Sequence, residues 1–566
     1  MFERFGNVPD ARSSGLVAVC AVALALTAAT AQAAPLLSWE VVVNNADTVP
    51  GSTRLFNSYS PPSVNDDGLV VFRGRTRGGQ QAGEPLTGIF ARDMATPGAV
   101  TSVVQRNEVV PAPNNTGATF NEFPSFARID AGSAMIATRG QSQPVWQVTD
   151  PATGESIGRV GTAGIYATPN GGPLATAMSG LGALPEFPQF QVPPAAVGGV
   201  EGVKFDQFPG APSPFDGQLV AFKGNYTDAA GARQTGVFYR DTAGSSGGAA
   251  VVAVAHSGQA IPNAPGTVFG STAPPSAAQG QIVFTGSDNE NAPTAGGIYL
   301  ARVGQPGLTT LVSIGELVPG ASSGGGGTAL SRIGEALSFD GRRVAFWGAW
   351  GSETRTITLT CPSEGNASVI AACIAASDNG SGTTTREVPV NQGILLKDIV
   401  TGELQLVAET GAGFEDFLFW NFSGHAGQGH GGDDGGEDEG EGPRWRSTAF
   451  IAADQGRVVF KASAGVTDPF GLYVDLGPGY DPYQLLGATM TGEVLDPLAA
   501  GLPITALAIE RDGFRNGYLA ISASMADAET SWAGVYLARF PIPEPATLGL
   551  LGAGLLMLGA ARRRSA

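Results

Sequence analysis

Asn65-Asp66-Asp67-Gly68-Leu69-Val70-Val71-Phe72 is a polar turn that opens through a glycine into a wholly apolar strand, the composition that a tight turn entering a buried strand requires. The phrase returns as Gly132-Ser-Ala-Met-Ile136, Gly217-Gln-Leu-Val-Ala-Phe222, Gly280-Gln-Ile-Val-Phe284, Gly341-Arg-Arg-Val-Ala-Phe346, Gly456-Arg-Val-Val-Phe460 and Gly517-Tyr-Leu-Ala-Ile521. Each copy is followed by a second short element: Gly88-Ile-Phe90, Gly164-Ile-Tyr166, Gly236-Val-Phe238, Gly297-Ile-Tyr299, Gly393-Ile-Leu395, Gly471-Leu-Tyr473 and Gly534-Val-Tyr536. In most units a third apolar strand comes next, as in Val103-Val104, Leu311-Val312 and Leu406-Val407, and runs into a proline bend such as Val109-Val110-Pro111. The basal unit is just over 60 residues, with insertions near 171–205, 350–390 and 421–447.

A fixed period of this size means an array of small sheets that bury their faces on one another. The seventh unit ends at Arg539 without its third strand, and the missing piece stands near the N-terminus as Trp39-Glu-Val-Val-Val43, then Thr48-Val49-Pro50-Gly51. A ring closed by pairing the chain ends explains that permutation, because closure removes the unpaired edges of an open array. The expected fold is all-β: a β-propeller of seven blades over 34–540, with N- and C-terminal strands closing the ring. A β-solenoid or a row of tandem small β-sheets stays open as the alternative, since only three strands per unit are legible where a blade has four.

Composition narrows function by exclusion. Only 14% of residues are charged, against roughly 25% in ordinary globular domains. The excess of Asp+Glu (50) over Lys+Arg (32) gives a net charge of -18, the wrong sign for holding a phosphate backbone, so no nucleic-acid partner is expected. Arg4 and Arg12 precede an apolar run from Leu16 to Ala28 and small residues at Ala31 and Ala33, the layout of a signal peptide over 1–33 removed by signal peptidase. At the other end Pro543-Glu544-Pro545 is followed by an apolar stretch from Ala546 to Ala561 and by Arg562-Arg563-Arg564. That is a minimal transmembrane helix whose basic end stays cytoplasmic.

This order over 541–566 resembles the PEP-CTERM sorting signal. The resemblance implies recognition and tail removal by exosortase, a membrane-embedded, transpeptidase-like enzyme with a cysteine nucleophile, in Gram-negative bacteria that make exopolysaccharide. It places the product at the cell surface or outside the cell, with membrane contact only through the tail before processing. In an oxidising compartment Cys361 and Cys373 are expected to form one disulfide closing a short loop. The repeats resemble exported bacterial tandem repeats with an Asn-x-x-Gly-x-x-Ala-Phe unit, best at Asn65 to Phe72 and at Asp216-Gly217 with Ala221-Phe222; units two and seven depart from it. That likeness supports the fold and implies no activity.

Few residues suit catalysis. There are three histidines, and no nucleophile elbow, zinc-protease helix, phosphate loop or dinucleotide fingerprint. The acidic, glycine-rich segment from Gly424 to Glu441 holds His425, His430, Asp433 and Asp434. It reads as a solvated loop that would bind Ca²⁺ only loosely, since it lacks the spacing of a preorganised calcium site; no cofactor is expected. Trp347, Trp350, Trp420 and Trp445 flank it. They are either a ligand face on which sugar rings stack or aromatics packed between blades. The expected function is an exported binding or structural protein, non-enzymatic, with exopolysaccharide as partner. The alternative is a secreted polysaccharide hydrolase or lyase using acids from loops on one face; carboxylates and aromatics converging at the axis would favour it.

Overall fold

The computed structural model describes residues 37–540, apart from 79–82, 97, 114–116, 144–145, 150–155, 161–162, 244–248, 323–326, 364–366, 424–443, 466–469 and 479. The signals at both ends, including Ala31, Ala33, Pro543, Glu544, Pro545, Arg562, Arg563 and Arg564, lie outside the described residues, as do His425, His430, Asp433 and Asp434.

Each blade has four antiparallel strands. The one that the sequence conceals is the innermost, and in most blades it is broken into two short pieces. In blade 1, Phe56–Tyr59 and Ser63–Val64 pair with opposite halves of Leu69–Thr76, and Thr87–Asp93 and Thr101–Gln105 complete the sheet. Ser60-Pro61-Pro62 interrupts the inner strand, because proline cannot donate to a ladder. The repeated glycine phrase therefore begins the second strand of each blade.

Two glycine positions explain the pattern. In blades 3, 4, 6 and 7 the residues Asp216-Gly217, Gln279-Gly280, Gln455-Gly456 and Asn516-Gly517 all have positive φ, the conformation of a type I′ hairpin turn whose twist matches its strands. The glycine of the second element sits at a bulge between third and fourth strands. A Cβ on Gly88 would stand 2.8 Å from the Val104 carbonyl, and one on Gly297 2.0 Å from that of Val312.

The ring closes through Trp39–Asn44, which pairs with Ser531–Arg539 as the outer strand of blade 7. Even the bulge recurs there, between Val41 and Val43. Apolar cores lie between neighbouring blades: Val42, Val43, Tyr518 and Val535 of blade 7 pack with Phe56, Phe72 and Phe90 of blade 1. Analogous clusters join blades 1 and 2, and 4 and 5.

Polar side chains at the innermost turns tie each blade to the next. Gly217 N–H donates to Asp130 Oδ2 (2.8 Å), Gln455 N–H to Asp340 Oδ2 (2.9 Å) and Gly517 N–H to Asp454 Oδ2 (3.0 Å). The amides of Gln279 and Gly280 donate to Asp216. Amide side chains serve the other junctions: Asn65 to Ser133 O, Gln281 to Gly341 O, and Asn516 to Asp66 O. Seven junctions are thus latched in sequence around the axis.

Three insertions decorate this ring. Residues 180–207 carry two 3-10 turns, Pro188–Phe190 and Pro194–Val197, and bury Phe187, Phe190 and Val192 against blades 2 and 3. Thr354–Thr360 and Thr383–Pro389 form a hairpin around a short helix, Ala367–Ala376, and Cys361 is disulfide-bonded to Cys373 of that helix. Phe419–Ser423 pairs with Arg444–Thr448 in a second hairpin. Replacing Asp130 with alanine leaves the buried Gly217 amide without its acceptor; the expected cost is roughly 1–3 kcal/mol, read as a lower denaturant midpoint, and an unchanged midpoint would show that the latch is idle.

Candidate binding site at the axial mouth

Because the latches sit at the innermost turns, the ring brings their acids together. Asp66, Asp130, Asp216, Asp340 and Asp454, with Asn170, Gln279, Gln455 and Arg515, line a recess of about 550 Å³ around the axis. Five of its lining groups are carboxylates and one is a guanidinium, so the mouth is strongly negative. Among the described residues no aromatic ring lines it.

A layer of buried charges closes the channel beneath. Arg128, 1% exposed, pairs with Glu510 and Asp512 of blade 7 and donates to the carbonyls of Ala211 in blade 3 and Pro275 in blade 4. Arg515 pairs with Asp512 and donates to Ala453 O (2.9 Å) and Phe339 O (3.0 Å). Arg511 reaches Pro274 O (3.2 Å). Burial pushes Arg511 down to about 10. Burial opposes ionisation of Glu510, but Arg128 and Arg511 outweigh it and hold its carboxyl below the usual range. Inner-strand serines add neutral ties, Ser63 Oγ donating to Ala127 O and Ser338 Oγ to Arg511 O.

Within the recess Asp66 differs from its neighbours. Its backbone serves the ring, through its amide to Ala131 O and its carbonyl to Asn516, which leaves its carboxylate outside the latches. Burial pushes that carboxyl up to about 6; Arg515 opposes the shift, while Asp454, Asp67 and Asp130 reinforce it. Ionised Asp66 therefore costs stability above pH 6, and the cost fades as pH falls through that value. Burial likewise raises Asp216. The sequence signal for this site was the acid one or two places before the glycine in five of the seven units: corresponding turns of a closed repeat must meet at the axis.

The tryptophans stand elsewhere. Trp347 (6% exposed) donates its indole N–H to Gln392 Oε1 (2.8 Å) and packs with Ile394, Phe417 and Phe460 between blades 5 and 6. Trp350 (1% exposed) lies between blades 4 and 5. Neither offers a ring face to a sugar, which corrects their reading as a ligand face. Trp420 and Trp445 are half-buried on the Phe419–Ser423 hairpin, where Trp445 packs edge-on to Phe422 (5.5 Å). At the root of that hairpin Lys461 Nζ is boxed by the rings of Phe419 and Phe470 at 4.2 Å and Phe450 at 4.9 Å. Burial pushes it down to about 8. His256 bonds to the neighbouring Ser257 carbonyl (2.9 Å) at the end of a blade 3 strand. Among the described residues no three His, Cys, Asp or Glu side chains converge to hold a metal ion.

Fold and site together define a closed seven-bladed β-propeller with an acidic axial mouth. Residues 541–565 match the PEP-CTERM protein-sorting motif, which marks an exported protein, anchored at the membrane before processing by exosortase. Among the described residues no helix is long and apolar enough to cross a membrane. No curated protein matches the chain. Among solved structures it is similar to the β-propeller domain of the Trilobed protease from Pyrococcus furiosus (9% identity, TM-score 0.36), covering 85% of this chain and 94% of that one. It is also similar to a prolyl endopeptidase (10%, 0.35), covering 83% and 45%, and to a Hadza microbial sialidase (9%, 0.29), covering 89% and 74%. The chain thus spans nearly all of the first and less than half of the second.

Trp350→Ala is expected to lower stability by roughly 3–5 kcal/mol, as for other buried tryptophans; loss of ligand binding with unchanged stability would contradict its place in the core. Lys461 titrates lower in the folded chain than in the unfolded one, so wild-type stability should rise between pH 8 and 10.5 relative to Lys461→Met. Parallel stability curves for the two would show that Lys461 is not desolvated.

Proposed function

We propose that this exported propeller is a non-enzymatic binding protein that holds exopolysaccharide at its acidic axial mouth. The supporting observation is the convergence of five turn carboxylates in one recess. Carboxylates accept strong hydrogen bonds from sugar hydroxyls and attract ammonium groups, so the site suits neutral or amino-bearing polymers and repels polyuronates. The buried charge layer beneath the recess favours a chain lying across the mouth over one threaded through it.

One observation favours a second reading. A carboxyl held near pH 6 beside other carboxylates is the arrangement that general acid–base glycoside cleavage uses, and Asp66 stands in that position. The two readings part on product: cleavage releases new reducing ends, and binding does not.

Calorimetry of the processed chain against the host's polymer, an amino-sugar polymer and a polyuronate tests both. Binding of the first two and none of the third is expected. Asp66→Asn should weaken binding roughly tenfold without lowering the denaturation midpoint, and amino-sugar binding should weaken as pH falls below 6 and Asp66 takes up a proton. Equal affinity for polyuronate would overturn the assignment, and reducing ends that disappear with Asp66→Asn would establish the second reading.

A further inference from the structure

The last described residue is Phe540. It is 1% exposed, its amide donates to Gly517 O (2.8 Å), and its ring lies 5.3 Å from that of Phe514. Gly517 belongs to the innermost turn of blade 7, so the chain leaves the propeller on the face that carries the axial recess. Its first strand enters on the same side, since Trp39 pairs with Ala538. In sequence only Pro541 and Ile542 separate Phe540 from Pro543, which begins the Pro-Glu-Pro of the sorting motif. Three Cα steps span at most about 11 Å, roughly the diameter of one helix with its side chains. An enzyme that grips Pro543-Glu544-Pro545 while blade 7 is folded must touch the rim of that blade.

The rim has a feature to touch. A groove of about 160 Å³ runs between blades 7 and 1, walled by Glu40, Ala95 and Arg539 over Tyr518 and Met94. Glu40, Ala95 and Arg539 are exposed, and the Arg539 guanidinium lies 4.9 Å over the Tyr518 ring. Every wall comes from a different segment: the N-terminal strand, the turn after Thr87–Asp93, and the last strand. The groove is therefore assembled only when Trp39–Asn44 has paired with Ser531–Arg539 and the ring is closed.

We propose that this groove is a docking surface for exosortase, which seats on the closed rim of blades 7 and 1 while it reads the adjacent motif. Docking there makes tail removal selective for chains whose ring has closed. Until the tail is removed, the acidic mouth lies on the same side as the sorting enzyme.

The test uses the full chain produced together with exosortase, following tail loss by the mass of the product. Ala95→Trp, which fills the groove from an exposed position, and the pair Glu40→Arg/Arg539→Glu should each slow tail removal at least fivefold. Val109→Trp, exposed on the opposite face, should not. With a flexible twelve-residue spacer inserted between Phe540 and Pro541, the groove substitutions should lose their effect. Wild-type rates for the groove variants at native spacing would overturn the proposal. Should a variant fail to fold, a photo-crosslinker at position 95 of the otherwise native chain decides: an adduct with exosortase supports docking, and an adduct with lipid alone, or none, contradicts it.

Discussion

At each junction between blades, a polar side chain from one innermost turn closes a hydrogen bond with the turn of the next blade, and the rest of the molecule is arranged around that contact. The Asp130 to Gly217 and Asp454 to Gly517 bonds are buried, where an unmet backbone amide is costly. The turn needs glycine for its backbone and a short acid or amide for its reach. That double demand suits the turns Asp216-Gly217, Gln279-Gly280, Gln455-Gly456 and Asn516-Gly517, which recur while the strands between them vary.

The latch has an electrostatic consequence. Holding the four latch carboxylates and that of Asp66 around one axis concentrates negative charge at the mouth, and one arginine among the lining residues, Arg515, offsets it. The layer below is balanced differently: Arg128, Arg511 and Arg515 face Glu510 and Asp512, and their remaining donors go to carbonyls of blades 3 to 6. Buried ion pairs add little net stability over an apolar packing, but breaking one is expensive. That layer therefore fixes the mutual register of distant blades more than it strengthens any one of them. It also spans the axis beneath the mouth, which is left as a polar, negative recess.

Much of the architecture was legible because its signals are local. Glycine-led strands and the displaced N-terminal strand follow from hydrophobic pattern and turn chemistry, and both hold in the pairing of Trp39–Asn44 with Ser531–Arg539. The innermost strand was not legible, because Ser63–Val64 or Phe514–Arg515 is too short to show a period and is set apart by prolines or irregular turns. The site was harder still. Asp66, Asp130, Asp216, Asp340 and Asp454 are ordinary turn residues in sequence, and only ring closure makes them neighbours. Trp347 and Trp350 were ambiguous in sequence: their size and their position beside an acidic segment suited a ligand face or packing between blades, and an alternating strand between two blades buries both. Arg128 and Glu510, separated by 382 positions, carry no local signal at all.

The central claim is that the carboxylate ring at the axial mouth is where this protein meets its polymer. A crystal structure of the processed chain soaked with a short oligosaccharide cut from the host exopolysaccharide tests it most directly. The account predicts sugar hydroxyls within hydrogen-bond distance of Asp66 and at least one neighbouring turn acid. Sugar seated instead on the Phe419–Ser423 hairpin, with the mouth holding only water, would contradict it.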